Sequence, residues 1–263
     1  MTSETSRYWD EVGSARRKDR FGALWRRHAD AVNAALLERW LPPGRVERIL
    51  KTDLFDEALG DGLFPLLAAR AESVVGADIS ESIREAAHRR HPGLETLQAD
   101  VRRLPLDDGS FDAVVSVSTL DHFESLDEIR GGLRELARVL RPGGQLLLTL
   151  DNPVNPVILL RNALPLRWLT GLHVVPYRVG ATCGPRLLTR YVNELGLDVR
   201  ETAAIMHCPR VLAVPLARGL ARIASGRAKE RFLRALLAFE RLANWPTRFL
   251  TGHFVAVRAT KPE

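Results

Sequence analysis

Apolar residues recur at three- and four-residue spacing near the start of the chain. Phe21, Leu24, Trp25, Val32, Leu36 and Leu37 fall on one face of a helical pattern over residues 7–40. Leu41-Pro42-Pro43-Gly44 stops it, because proline cannot continue a helical ladder. Short apolar runs then alternate with helical ones. The spacing predicts a strand over 45–51, a helix over 63–71, a strand over 73–77 and a helix over 81–90. A short strand over 96–98 and a continuous apolar strand over 111–117 come next. A helix over 126–140 ends at Arg141-Pro142-Gly143-Gly144, and 145–150 is another buried strand. Unbroken apolar strands separated by helices imply a parallel sheet covered on both faces.

The pattern changes after Leu150. DNPVNP is turn chemistry, and an apolar stretch punctuated by arginine runs from Val157 to Val175. A helix over 185–195, a strand over 199–205 and a closing strand over 253–259 complete the series. A helical excursion, 209–245, separates the last two strands. In it, Leu212, Leu216, Leu220 and Ile223 predict one apolar stripe and Phe232, Leu236 and Phe239 another, with Arg218, Arg222, Arg231 and Arg234 between them. The expected organisation is an N-terminal helical segment, 1–44, and a domain over 45–263 in which 209–245 caps the sheet edge.

Composition alters this picture little. With 263 residues, 46% hydrophobic and 27% charged, the chain can bury a sizeable core. No apolar run approaches the ~18 residues of a membrane span, and the first residues lack a secretory signal, so the expected address is cytoplasmic. Cys183 and Cys208 have neither the number nor the spacing of a zinc site or disulfide framework, and no metal is expected. Charge matters more. Residues 205–263 carry eleven Lys or Arg against three Glu, a net +8 in a chain of net +6. Such a segment suits nucleic acid, an anionic membrane surface or a phosphorylated substrate, or is simply a solvated arginine surface.

Candidate chemistry gathers at the strand ends. VERILKTDLFDEALGDG, residues 46–62, runs from a strand through an acidic patch into Gly60-Asp61-Gly62; a helix and a second strand, VVGADIS, follow. Strand, glycine turn, helix, strand and acid form a nucleotide-binding half-unit. LQADVRRLPLDDGSFDAVVSVSTLDHF and LRELARVLRPGGQLLLT come next, in that order. This ordered set resembles the class I S-adenosylmethionine-dependent methyltransferases, in their small-molecule branch, over residues 45–150.

The resemblance implies a Rossmann-like, doubly wound α/β fold, with a mainly parallel seven-stranded sheet whose last strand is antiparallel. It implies S-adenosylmethionine as cofactor and a small-molecule acceptor with an apolar part, of natural-product, lipid or quinone type. Asp78 would then accept from the ribose hydroxyls, Ile79 lie against adenine, Asp100 receive the adenine amino group, and the Val101 amide meet a ring nitrogen. Ser118 joins the cofactor contacts at the end of the fourth strand. Asp121 and His122, at the same carboxyl edge, are the candidates for a general base. Tyr8 and Trp9 resemble aromatic lid residues of the 1–44 segment, or pack locally. His28, His173, His207 and His253 are further candidates, each more simply read as structural.

One stretch departs from the family. Lys51 stands where an acid usually follows the first strand, and Asp53, Asp56 and Glu57 precede the glycines in a lengthened loop. Either Asp53 or Glu57 takes over the cofactor's α-amino group while Gly60 and Gly62 let backbone approach its carboxylate, or Lys51 pairs with one of these acids and the methionine end is held differently. The departure keeps open a second function, a binding or regulatory protein of this fold that transfers no methyl group. Nucleic acid is not an expected partner, since no aromatic-basic platform accompanies the basic segment. A membrane surface ranks behind a lid or cap as the role of the basic helices, and the sequence carries no sign of oligomeric state.

Overall fold

The computed structural model describes residues 2–17, 22–164 and 179–263. Phe21, His173 and the second part of the 157–175 stretch lie outside the described residues. Helices α1 (Thr2–Arg17) and α2 (Ala23–Trp40) precede the sheet. Its strands are β1 (Val46–Thr52), β2 (Ala71–Asp78), β3 (Glu95–Gln98), β4 (Phe111–Val117), β5 (Leu140–Asp151), β6 (Asp198–Ile205) and β7 (Phe254–Thr260). Between them run α3 (Phe55–Leu59), α4 (Phe64–Arg70), α5 (Glu81–Arg90), α6 (Leu126–Val139), α7 (Pro156–Ala163), α8 (Pro185–Glu194), α9 (Arg210–Ile223), α10 (Gly226–Leu237) and α11 (Arg248–Thr251).

The strands pair in the order β3-β2-β1-β4-β5-β7-β6. β7 is antiparallel to both neighbours and every other pair is parallel, as the resemblance implied. Side chains alternate across a strand, so neighbours in sequence serve opposite cores. Ile49, Val74, Val115, Leu147 and Ala256 join one cluster with Leu36, Leu37 and Trp40 of α2. Leu50, Val75, Val114, Leu148 and Val257 join the other with Leu133 and Leu136 of α6 and Leu188 of α8. The sheet is covered on both faces. No helix of the described residues is long and apolar enough to cross a membrane.

Two expectations change. Arg141–Gly144 does not close α6 in a free turn but bulges within β5: Leu140 pairs with Phe111, and the register then jumps to Gln145 opposite Ala113. The helical excursion also turns a different face inward. Leu212, Leu216 and Ile223 are exposed, and Ala213 and Ala217 are buried instead. The reason is close packing: α9 lies on α2, where Ala217 meets Leu24 and, from α10, Leu233. Leu233 and Leu236 supply the buried stripe of α10, and Phe239 is partly exposed. The excursion packs on α2 and also reaches the sheet edge, where Ala213 and Leu236 join the cluster of Ile205 and Met206 and Glu240 accepts from the Met206 and His207 amides at 3.1 and 2.8 Å.

The loop after β1 is fixed by a buried ion pair. Lys51 Nζ lies 2.9 Å from Glu57 Oε2, with side chains 6% and 0% exposed. Burial would lower the Lys51 pKa, but Glu57 and Asp53 outweigh it and raise it. The other Glu57 oxygen accepts from the Leu63 amide at 2.9 Å, pinning the start of α4. Gly62, at φ +55, is required by this arrangement, since a Cβ there would sit 2.5 Å from Glu57 Oε1. Glu57 thus faces the protein, and the expectation that it reaches a ligand is corrected: a buried ammonium needs a carboxylate more than the cavity does. Removing one partner of such a pair costs about 3–5 kcal/mol. Glu57→Ala is expected to unfold at correspondingly lower denaturant, and Lys51→Met combined with Glu57→Leu to recover most of the loss. Equal unfolding midpoints for Glu57→Ala and wild type would contradict this.

Candidate active site

The carboxyl ends of the parallel strands open into a cavity of about 1970 Å³. That is roughly twice the ~1,000 Å³ upper end for a single small-molecule pocket, so two ligands fit side by side. Asp53, Asp78, Ile79, Asp100, Val101, Ser118, Asp121 and His122 all line it, and topology brings them together from four separate strand ends. Glu57, Gly60 and Gly62 do not line it. Gly60 instead contacts the outer loops, its carbonyl 3.0 Å from His91 Nε2.

Asp78 ends β2 with each oxygen engaged by one backbone amide, Leu54 and Ser80, both at 2.8 Å. A carboxylate oxygen has two lone pairs, so one on each remains for a ligand. Burial, then the neighbouring Asp53, pushes its pKa up to about 7. Asp100 follows β3 and is clamped by Arg102, whose Nη2 lies 2.6 Å away and which also bonds Glu128. Arg102 in turn lies 4.9 Å over the Phe123 ring, which fixes the clamp.

Two acids of the lengthened loop line the cavity: Asp53 and Asp56. Asp53 has a left-handed backbone, φ +66, and its side chain accepts from the Phe55 amide at 2.8 Å. Asp56 and Glu57 are adjacent on α3 and therefore point apart, one to the cavity and one to Lys51. Burial, then Glu57 and Asp53, pushes Asp56 up to about 6. Sequence reasoning placed Glu57 where Asp56 stands, since a five-residue helix shows no periodicity that could rank the two.

Beyond β4 the chain turns sharply at Ser118, φ +49. Ser118 Oγ donates to Asp121 Oδ2 at 2.9 Å, and the Asp151 amide donates to the same oxygen at 3.1 Å. Asp121 is buried, its Oδ1 has no hydrogen-bond partner among the described residues, and burial pushes its pKa up to about 6. His122 lies under Trp9 of α1, ring centroids 4.8 Å apart, and Tyr8 stands edge-on to Trp9 at 5.2 Å. Asp10 anchors that helix to the start of α5, accepting from Ser80 Oγ at 2.5 Å and the Ser82 amide at 3.0 Å.

The far end of the cavity holds residues the sequence did not single out as a group. Asp151 at the end of β5 pairs with Arg161 of α7 at 2.7 Å, and His253 Nε2 lies 3.3 Å from its other oxygen. His253 and His207 both line the cavity wall, His207 held by Thr251 and the Ala204 carbonyl, whereas His28 is buried outside it against Cys208 Sγ at 3.3 Å. The readable signal was Asp151 itself, an acid at a strand's carboxyl end like Asp78. Among the described residues no cluster of His, Cys, Asp and Glu is disposed to hold a metal ion.

A methyltransferase-domain family model matches residues 55–148. A demethylmenaquinone methyltransferase of Clavibacter sepedonicus is 38% identical over 195 residues, 73% of this chain and 74% of its own length. A ubiquinone/menaquinone biosynthesis C-methyltransferase of Hahella chejuensis is 36% identical over 102 residues, 36% of this chain and 40% of its own. In fold, the chain resembles geranyl diphosphate C-methyltransferase from Streptomyces coelicolor, with a TM-score of 0.56 at 15% identity, covering 88% of this chain and 79% of that one. The first relative's identity extends over nearly three quarters of both chains, well past the strand-end motifs. This chain belongs to the class I S-adenosylmethionine-dependent methyltransferases.

Proposed function

We propose that the chain transfers the methyl group of S-adenosylmethionine to a small, largely apolar acceptor. The observation that carries this reading is the single cavity that joins strand-end carboxylates to an apolar chamber. The residues fit the cofactor: Asp78 keeps lone pairs for two ribose hydroxyls, Asp100 and Val101 stand at the next strand end for adenine, and Ile79 offers an apolar face. Asp53 and Asp56 suit an α-ammonium group. When bound, the cofactor supplies an electrophilic methyl group on a sulfonium.

The chain's own residues then align and exclude water. Helix α1 acts as the lid of the 1–44 segment, held down by Trp9 on His122 and anchored by Asp10, while α2 serves as fixed wall. Val157, Leu160, Val214 and Pro215, from α7 and α9, give the acceptor chamber its apolar lining. Asp121 is the proposed base. Its Oδ2 is held by Ser118 and Asp151, which leaves Oδ1 to take a proton from the acceptor at the moment of transfer. The acceptor's apolar body draws further support from the quinone-type names of the relatives.

Two predictions test the reading. Asp100→Asn is expected to weaken S-adenosylhomocysteine binding by about 1.5–3 kcal/mol, the worth of a charge-assisted hydrogen bond, with little change in stability. Asp78→Ala should lose similar affinity and some stability as well, because two backbone amides lose their acceptor. Calorimetry showing native affinity in both variants would remove the adenosine placement. The second concerns pH. The Asp121 carboxyl gains a proton as pH falls through about 6, so the base is lost on the acid side and kcat/KM for the acceptor should drop there. In Asp121→Asn the rate is expected to fall about 100-fold or more and that acid limb to vanish. An unchanged limb would assign the proton transfer to another group.

A further inference from the structure

The acceptor end of the cavity is strongly cationic. Arg210, Arg218 and Arg222 of α9 line the cavity, Arg218 and Arg222 four residues apart and Arg218 on the same helical face as Val211, Val214 and Pro215. Arg161 of α7 faces the same space. Among the described lining residues drawn from α7, α9 and the ends of β5, β6 and β7, these four guanidiniums are set against one carboxylate, Asp151. Asp151 is committed to Arg161 at 2.7 Å. Burial would raise its pKa, but the Arg161 and Arg210 charges beside it help hold it well below the usual range.

Arg210 is fixed in place by its neighbours. Its Nη1 lies 2.8 Å from His253 Nε2, and its guanidinium stands 5.6 Å from the Trp25 ring and 5.9 Å from that of Phe254. Burial, then the Arg210 charge, lowers His253 to about 4, so the imidazole is neutral and accepts from Arg210. Arg161 and Arg210 are half-buried, and Arg218 and Arg222 are exposed toward the rim. The positive charge therefore runs along the wall from the rim inward, and a guanidinium fork suits phosphate oxygens.

Building on the small-molecule reading above, we propose that this wall binds a phosphate or diphosphate group carried by the apolar acceptor, the tail lying along α7 and α9 and the anion on Arg218 and Arg222, one helical turn apart, with Arg161 and Arg210 adding positive charge deeper in the wall. Octyl phosphate and 1-octanol share a tail and differ in charge, which makes them the probes. Wild type is expected to bind octyl phosphate about tenfold or more tightly than octanol by calorimetry. In Arg218→Glu/Arg222→Glu the preference should disappear while S-adenosylhomocysteine affinity stays native, which also shows that the variant is folded. Equal affinity of wild type for the two probes would overturn the proposal. So would flotation of wild type on phosphatidylglycerol vesicles, lost in the variant, without any preference for monomeric octyl phosphate: the arginines would then serve a bilayer surface. If wild type binds no S-adenosylhomocysteine, the methyl-transfer reading fails separately and the octyl phosphate comparison still decides this one.

Discussion

The site depends on one buried ion pair. The lysine at the end of the central strand β1 is buried, and leaving its ammonium unpaired there would cost several kcal/mol of a total stability of about 5–15 kcal/mol. Glu57 supplies the countercharge, and everything between Lys51 and Leu63 follows from its position. The loop must be long enough to bring α3 back over the strand, Gly62 must lack a side chain because the carboxylate occupies that space, and the Leu63 amide is held by the same group. Asp53 and Asp56 are then left on the cavity side. Where the family resemblance leads one to expect an acid, a lysine stands, and the loop closes around its pair with Glu57.

Around that loop the cavity divides by charge. Its strand-end side carries Asp53, Asp56, Asp78, Asp100 and Asp121, several with pKa values raised first by burial. Its α7–α9 side carries arginines and exposed-to-intermediate apolar residues. A sheet whose strands all end at one edge makes this possible, because side chains distant in sequence converge at the carboxyl ends. Under the proposed function, the cationic cofactor takes the acidic side and the acceptor the other.

Much of this was legible in the sequence, for identifiable reasons. The central strands are short with apolar buried positions and most helices are amphipathic, so the order and type of most elements followed from periodicity, α3 excepted. Asp78 stood out as an acid ending an apolar strand, and Asp100 through the ordered motifs that carry the family resemblance. The Lys51 partner was left open between two readings, and the structure has the lysine paired, since burial is a property of the assembled sheet. The stripe of α9 was misread for a related reason. Leucines at helical spacing suggest a buried face, yet the contact with α2 is close enough to require Ala213 and Ala217. Periodicity identifies faces but does not measure how near a neighbouring helix will come.

The rebuilt loop is tested most directly through the group it is proposed to hold. S-adenosylhomocysteine carries an α-ammonium, and 5′-methylthioadenosine lacks the amino-acid end altogether. Calorimetry at pH 8, where Asp56 with its pKa near 6 is ionised, compares both ligands on wild type, Asp53→Asn and Asp56→Asn. The account predicts that at least one variant loses about tenfold or more in S-adenosylhomocysteine affinity while binding 5′-methylthioadenosine as wild type does. Native affinity for S-adenosylhomocysteine in both variants would contradict it.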